Sequence, residues 1–188
     1  MNVTKTALDG VLIVTPRVFA DHRGSFSESY SRRALSQAGI DLDFVQDNHS
    51  VSARAGTVRG LHYQAPPHAQ DKLVRVVRGA ILDVAVDVRI GSRSYGHWVG
   101  VDLDAESPHQ LLVPKGFLHG FVTRVDDTVV LYKTTDYYAP DCDGAVHFAD
   151  PDLGIDWGID APAAILSEKD AAAPRFAAWQ SPFLLEDA

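Results

Sequence analysis

Ala80-Ile81-Leu82-Asp83-Val84-Ala85-Val86-Asp87-Val88-Arg89 is the stretch that decides the fold class. Leu82, Val84, Val86 and Val88 alternate with Asp83 and Asp87, a period of two that belongs to a strand and not to a helix. It predicts a half-buried strand with the aliphatic face inward and the acids outward. Working outward, the same reading predicts strands over 11–15, 25–30, 44–50, 57–63, 72–78, 97–103, 110–113, 117–124 and 129–135. Arg23-Gly24, Arg78-Gly79, Pro114-Lys115-Gly116 and Asp126-Asp127 supply turns between many of them. So many short strands imply an all-β sandwich or barrel. One helix interrupts the pattern, with Ser31 as N-cap, Arg32 to Ala38 as body and Gly39 just past its end. Beyond Pro140 the alternation fades into a proline-paced, irregular C-terminal segment with room for a short helix.

The chain has 188 residues, of which 46% are hydrophobic and 22% charged, and fits one globular domain over 1–188. Its formal net charge of -8 argues against nucleic acid as a partner and, at first sight, against any anionic ligand. No apolar run approaches the ~18 residues that span a bilayer. Met1-Asn2-Val3-Thr4-Lys5 leads into no signal-peptide core, so a cytoplasmic protein is expected. The single cysteine, Cys142, excludes an internal disulfide.

Several groups could carry chemistry. Gln46, Asn48 and Ser50 share one face of a strand, either a solvated face or the wall of a site. Gly60 stands at the centre of the neighbouring strand, where glycine points to a bulge or a close approach of backbone; a bulge would bring Arg59 and His62 to one side. Pro114-Lys115-Gly116-Phe117-Leu118-His119-Gly120-Phe121, with Gly60-Leu61-His62, resembles the two half-motifs of the cupin superfamily. Metal-binding cupins supply two histidines separated by one residue in the first half; here that half reads His62-Tyr63-Gln64. Two imidazoles are too few for a typical Zn²⁺ or Fe²⁺ site, so no metal is expected. A histidine without a metal suggests acid/base work, since an imidazole titrates near ~6.5. Lys72 opens an apolar strand, as an inward ammonium or one reaching to water. Tyr132 shares a face with Val130, in a cavity or in the core.

Taken in order, the segments resemble the dTDP-4-dehydrorhamnose 3,5-epimerase family. They are Phe19-x-Asp21-x-Arg23-Gly24-x-Phe26-x-Glu28, Gln46-Asp47-Asn48-x-Ser50, Arg59-Gly60-Leu61-His62-Tyr63-Gln64, Lys72, Asp83 to Ser92, Pro114 to Phe121, Tyr132-Lys133, Asp136-Tyr137-Tyr138, Asp150-Pro151 and Ser167-Glu168-Lys169-Asp170. The resemblance implies a cofactor-free, cupin-like jelly roll. It implies a homodimer with an exchanged N-terminal segment, acting on dTDP-4-dehydro-6-deoxy-D-glucose at C3 and C5 on the way to L-rhamnose or a related deoxysugar. By position it makes His62 the base, oriented by Asp170, Tyr132 the acid and Lys72 the cation beside the C4 oxygen. Arg23 and Arg59 correspond to diphosphate-binding arginines, Tyr138 to a ring stacked on thymine, and Phe26, Glu28, Gln46, Asn48, His119, Asp143 and Lys169 to further substrate contacts. A positive cleft in a negative surface follows.

The chain departs from the family pattern where a glutamate, a basic residue and a tryptophan are usual. Asp143, Gly144 and Phe148 stand there, and Leu118 replaces an alanine next to His119, a change expected to trim the pocket. An epimerase acting at one carbon, a metal-dependent cupin and a non-catalytic sugar-nucleotide binding module are the alternatives.

Overall fold

In the computed structural model, which describes residues 1–185, the alternation resolves into short strands. They are β1 (Asn2–Lys5), β2 (Leu12–Thr15), β3 (Val18–Asp21), β4 (Gly24–Ser27), β5 (Gln46–Ser52), β6 (Val58–Gln64) and β7 (Lys72–Arg78), followed by β8 (Ala80–Asp87), β9 (Trp98–Asp104), β10 (Gln110–Val113), β11 (Phe117–Thr123), β12 (Thr128–Thr134) and β13 (Asp143–Ala145). Two helices, α1 (Arg32–Gln37) and α2 (Glu168–Ala171), accompany them. Positions 186–188 of the expected domain lie outside the described residues.

The strands form one sheet in the order β1-β2-β10-β7-β12-β5, a second in the order β13-β6-β11-β8-β9, and a separate hairpin β3-β4. All named strand pairings are antiparallel. The two large sheets pack face to face as a cupin-like jelly roll. Val74, Val76, Leu111, Val113 and Val130 of the first interlock with Ile81, Ala85, Leu103, Phe117 and Phe121 of the second in one buried cluster.

This packing corrects the reading of Ala80 to Arg89. β8 is an interior strand of its sheet, between β11 and β9, and lies between two cores. Leu82, Val84, Val86 and Val88 face outward and are covered by Phe148, Leu153, Trp157 and Phe183 of the irregular C-terminal segment. Asp83 and Asp87, expected in solvent, are fully buried at 0% exposure on the face that Ile81 and Ala85 turn into the interior. A carboxylate survives there only with partners. Asp87 accepts from Arg89 Nε (2.9 Å), Ser92 Oγ (2.6 Å) and Ser94 Oγ (2.7 Å). Burial works to raise its pKa, but these donors win and hold it at about 2. The Asp87-Val88-Arg89-x-Gly91-Ser92 motif is therefore structural.

The helix α1 forms as its caps foretell. Ser31 accepts from the Ala34 N–H at 3.3 Å, and Gly39 takes φ +87° just past the end. It lays Leu35 over Val14, Leu73 and Leu112 on the outer face of the six-stranded sheet. Among the described residues no helix is long and apolar enough to cross a membrane.

Candidate active site

The site begins with the defect in β6. His62 stands opposite His119 and Arg59 opposite Phe121, so two residues of β6, Gly60 and Leu61, face the single Gly120 of β11. This is the anticipated bulge, and it turns both Arg59 and His62 toward the same cavity. Glycine is required at its centre. Gly60 has φ +126°, and a Cβ there would lie 2.6 Å from Gly120 Cα and 2.7 Å from the His119 carbonyl oxygen.

The cavity is about 560 Å³, and His62, Arg59, Lys72, His119, Tyr132, Lys169 and Asp170 are among its walls. A second hollow of about 380 Å³ shares His62, Lys72, Tyr132 and Lys169 with it and adds Gln46, Asn48, Tyr138 and Asp143. His62 Nε2 lies 2.6 Å from Asp170 Oδ1, with side-chain exposures of 32% and 5%. Asp170 is delivered by α2, a single turn begun by Ser167, whose Oγ accepts the Asp170 N–H at 3.1 Å. Burial pushes the Asp170 carboxyl up, but hydrogen bonds from His62, Ser167 and the Gly60 backbone outweigh it and leave it below the usual range. An ionised carboxylate accepts the Nε2 proton and leaves the other ring nitrogen free for a substrate proton.

A second pair lies behind the first. His119 Nε2 is 2.6 Å from Asp83 Oδ1, both buried. Asp83 was missed as a site residue. Its signal is an acid on an otherwise aliphatic strand, which alternation alone assigns to the solvent side because the covering C-terminal segment leaves no trace in the local pattern.

Lys72 and Tyr132 come from the opposite sheet, on β7 and β12, so they face the His62 wall. Burial lowers the Lys72 ammonium to about 8, although the carboxylates of Asp143 and Asp83 pull the other way. Burial likewise raises the Tyr132 phenol, with Arg59 opposing and Asp143 assisting. Gln46, Asn48 and Ser50 point inward from the edge strand β5, whose intervening Asp47, His49 and Val51 are exposed. They form the wall of a site, not a solvated face. Arg59 is held by Ser52 Oγ (3.2 Å) and the Val51 carbonyl (2.9 Å).

At the far end of the second hollow, Asp143 accepts from the Tyr138 hydroxyl at 3.2 Å and is ion-paired with Lys169. Burial acts to lower the Lys169 pKa, but the pairing prevails and raises it. Gln64 shapes this end by accepting the Ala139 N–H and donating to the Tyr137 carbonyl, each at 2.9 Å. The substitutions noted in the sequence sort differently. At Gly144 a Cβ would run into the Tyr63 ring, whose hydroxyl accepts the Trp179 indole N–H at 3.0 Å. Phe148 is core, 2% exposed, and Leu118 is fully buried in the same outer cluster. The expectation that Leu118 trims the pocket is thus corrected: alternation turns it away from the cavity that His119 faces.

Three expected contacts are not brought to this cavity. Arg23 and Phe26 lie on the β3-β4 hairpin, whose residues are almost wholly exposed, and Glu28 follows it. Phe26 is 71% exposed, and Arg23 Nη2 pairs with the adjacent Asp21 at 2.6 Å. The positive cleft is accordingly composed of Arg59, Lys72 and Lys169 and is tempered by Asp143 and Asp170. Among the described residues no group of three or more His, Cys, Asp or Glu side chains gathers as a metal site.

Comparison with known proteins bears on what this arrangement is. A family model described as dTDP-4-dehydrorhamnose 3,5-epimerase matches residues 5–178. The dTDP-4-dehydrorhamnose 3,5-epimerase of Pseudomonas aeruginosa is 50% identical over 179 residues, 94% of this chain and 97% of that protein. The crystal structure of the Bacillus anthracis enzyme of that name, with TDP and PPi bound, superposes with a TM-score of 0.90 at 46% identity, covering 93% of this chain and 99% of that one. The Legionella pneumophila dTDP-6-deoxy-D-glucose-3,5-epimerase in complex with dTDP-4-keto-L-rhamnose gives a TM-score of 0.87 at 44% identity, covering 93% and 92%. With a match this long, and with the two half-motif histidines each set against a carboxylate in one cavity, the chain belongs to the dTDP-4-dehydrorhamnose 3,5-epimerase family.

Proposed function

We propose that the protein epimerises dTDP-4-dehydro-6-deoxy-D-glucose at C3 and C5 to dTDP-4-dehydro-L-rhamnose, in the supply of L-rhamnose or a related deoxysugar. The observation that carries this reading is His62 on one sheet, paired at 2.6 Å with Asp170 of α2 and facing Tyr132 and Lys72 on the other sheet. Both carbons are α to the C4 ketone, so each C–H proton can leave if the resulting enolate oxygen is stabilised. His62 takes the proton, and Asp170 holds its ring and offsets the imidazolium charge. The C–H electron pair moves to the C4 oxygen as enolate, beside the Lys72 ammonium and His119. A fixed cation there is worth several kcal/mol in a water-poor pocket. Tyr132, kept protonated by its raised pKa, returns a proton to the same carbon from the opposite face, which inverts it. His62 then gives its proton to water and Tyr132 regains one from water, and the ring presents the second carbon to the reset groups. No cofactor enters these steps.

Arg59, Lys169, Gln46, Asn48, Tyr138 and Asp143 are assigned to the nucleotide and its diphosphate. Arg23, Phe26 and Glu28 are assigned to the cavity of a second subunit in a homodimer, supported by the exposed hairpin that bears the first two and by the edge of β5, unpaired among the described residues. Two measurements test this. His62→Ala should bind dTDP as the wild type does yet lose turnover; weakened binding with unchanged turnover would refute the assignment. Mixing inactive Arg23→Ala with inactive His62→Ala should restore partial activity through hybrid sites, and no restoration would refute shared sites.

A further inference from the structure

Ser50 has no role in the scheme above, yet among the described residues its hydroxyl is a buried polar atom of the inward face of β5 that lacks a partner. Gln46 Nε2 donates to Asn48 Oδ1 at 3.0 Å, and Ser52 Oγ accepts from Arg59 Nε at 3.2 Å. Between them, Ser50 Oγ is shielded from solvent and makes no hydrogen bond among the described residues. Its cross-strand neighbour is the aliphatic Val130, which offers its side chain no polar group, while the next pair along, Asn48 and Tyr132, is polar. Buried hydroxyls almost always have partners, because an unmet one has lost its water without replacement. Ser50 also lines the main cavity together with Arg59, His62 and Tyr132. A serine side chain reaches any of three staggered positions by rotation about one bond, so its oxygen can turn to a ligand without backbone movement.

We infer that Ser50 is a substrate-binding residue whose hydroxyl pairs with an oxygen of the sugar nucleotide held between Arg59 and Tyr132. The inference rests on the epimerase reading for the identity of the ligand. Two oxygens fit this chemistry, a sugar oxygen and a diphosphate oxygen. A sugar contact leaves dTDP affinity unchanged in Ser50→Ala while kcat/KM for the sugar nucleotide falls; a diphosphate contact lowers both.

The experiment compares wild type and Ser50→Ala for dTDP affinity by calorimetry, for kcat/KM on dTDP-4-dehydro-6-deoxy-D-glucose and for melting temperature. The expected result is a fall in kcat/KM of about tenfold or more, with the melting temperature of the unliganded protein not lowered. A variant within twofold of the wild type in both affinity and kcat/KM overturns the inference and leaves Ser50 a structural residue. If wild type itself does not turn over the sugar nucleotide, the epimerase reading fails instead, and the dTDP arm still decides whether Ser50 touches the nucleotide. Should Ser50→Ala not fold, Ser50→Cys, close in shape but a weak hydrogen-bonding partner, is read by the same outcomes.

Discussion

Asp170→Asn isolates the part of the site on which the proposed role of His62 as base depends. The substitution keeps the shape of the side chain and leaves the Ser167 cap of α2 in place, because that cap receives the backbone N–H of residue 170. What it removes is the charge 2.6 Å from His62 Nε2. With asparagine, the amide can donate to Nε2 and favour the ring tautomer whose proton faces the cavity, so the ring can no longer accept one. A positioned acid or base contributes about 10²–10⁴ in rate, and misorienting the base without deleting it should lower kcat by about 10³. dTDP affinity should stay within about threefold, since that carboxylate touches no nucleotide-binding group assigned above. The carboxyl's depressed pKa means that the wild type is favoured in its ionised form when folded. Its stabilising contribution is present above the unfolded value near 3.8 and is lost as pH falls through the folded value. Asp170→Asn should lack that acid dependence. Steady-state turnover, dTDP calorimetry and acid melts together check the argument, and a kcat within fivefold of the wild type would refute it.

Further outcomes follow from neighbouring groups. Tyr132→Phe should retain dTDP binding and lose about 10²-fold or more in product formation, measured by the NMR spectrum of the sugar product. Lys72, lowered by burial to about 8, should give kcat/KM an alkaline limb near that pH, because the neutral amine no longer stabilises the enolate. In Lys72→Arg the residual activity should show no such limb, as guanidinium stays charged; an unmoved limb would assign it elsewhere. Gly144→Ala should destabilise the fold by about 1–3 kcal/mol through the clash with Tyr63, read by urea denaturation.

Much of this was legible because local pattern and tertiary role coincide. The alternation of 72–78 and 117–124 and the caps of α1 each have one physical solution, while the central glycine of β6 allows a bulge or a close approach of backbone, and the bulge puts Arg59 and His62 on one side. The hydrophobic pattern does not mark β1, β3 and β13 as strands. β1 and β3 are short and largely exposed, and β13 has three residues, so pairing and not hydrophobic pattern makes them strands. The burial of Asp83 was hidden for the reason that hid the site of Leu118: both faces of the β8-β11 sheet are covered, one by a proline-paced segment that shows no periodicity of its own. The acidic total charge suggested no anionic ligand, whereas the distribution places Arg59, Lys72 and Lys169 around one cavity.

The central claim is that one base and one acid, on facing sheets, invert two carbons flanking a ketone. Incubation with dTDP-4-dehydro-6-deoxy-D-glucose in D₂O, followed by NMR of the recovered sugar, tests it most directly. Deuterium at both C3 and C5 is the result the account predicts; deuterium at one carbon, or at neither, would contradict it.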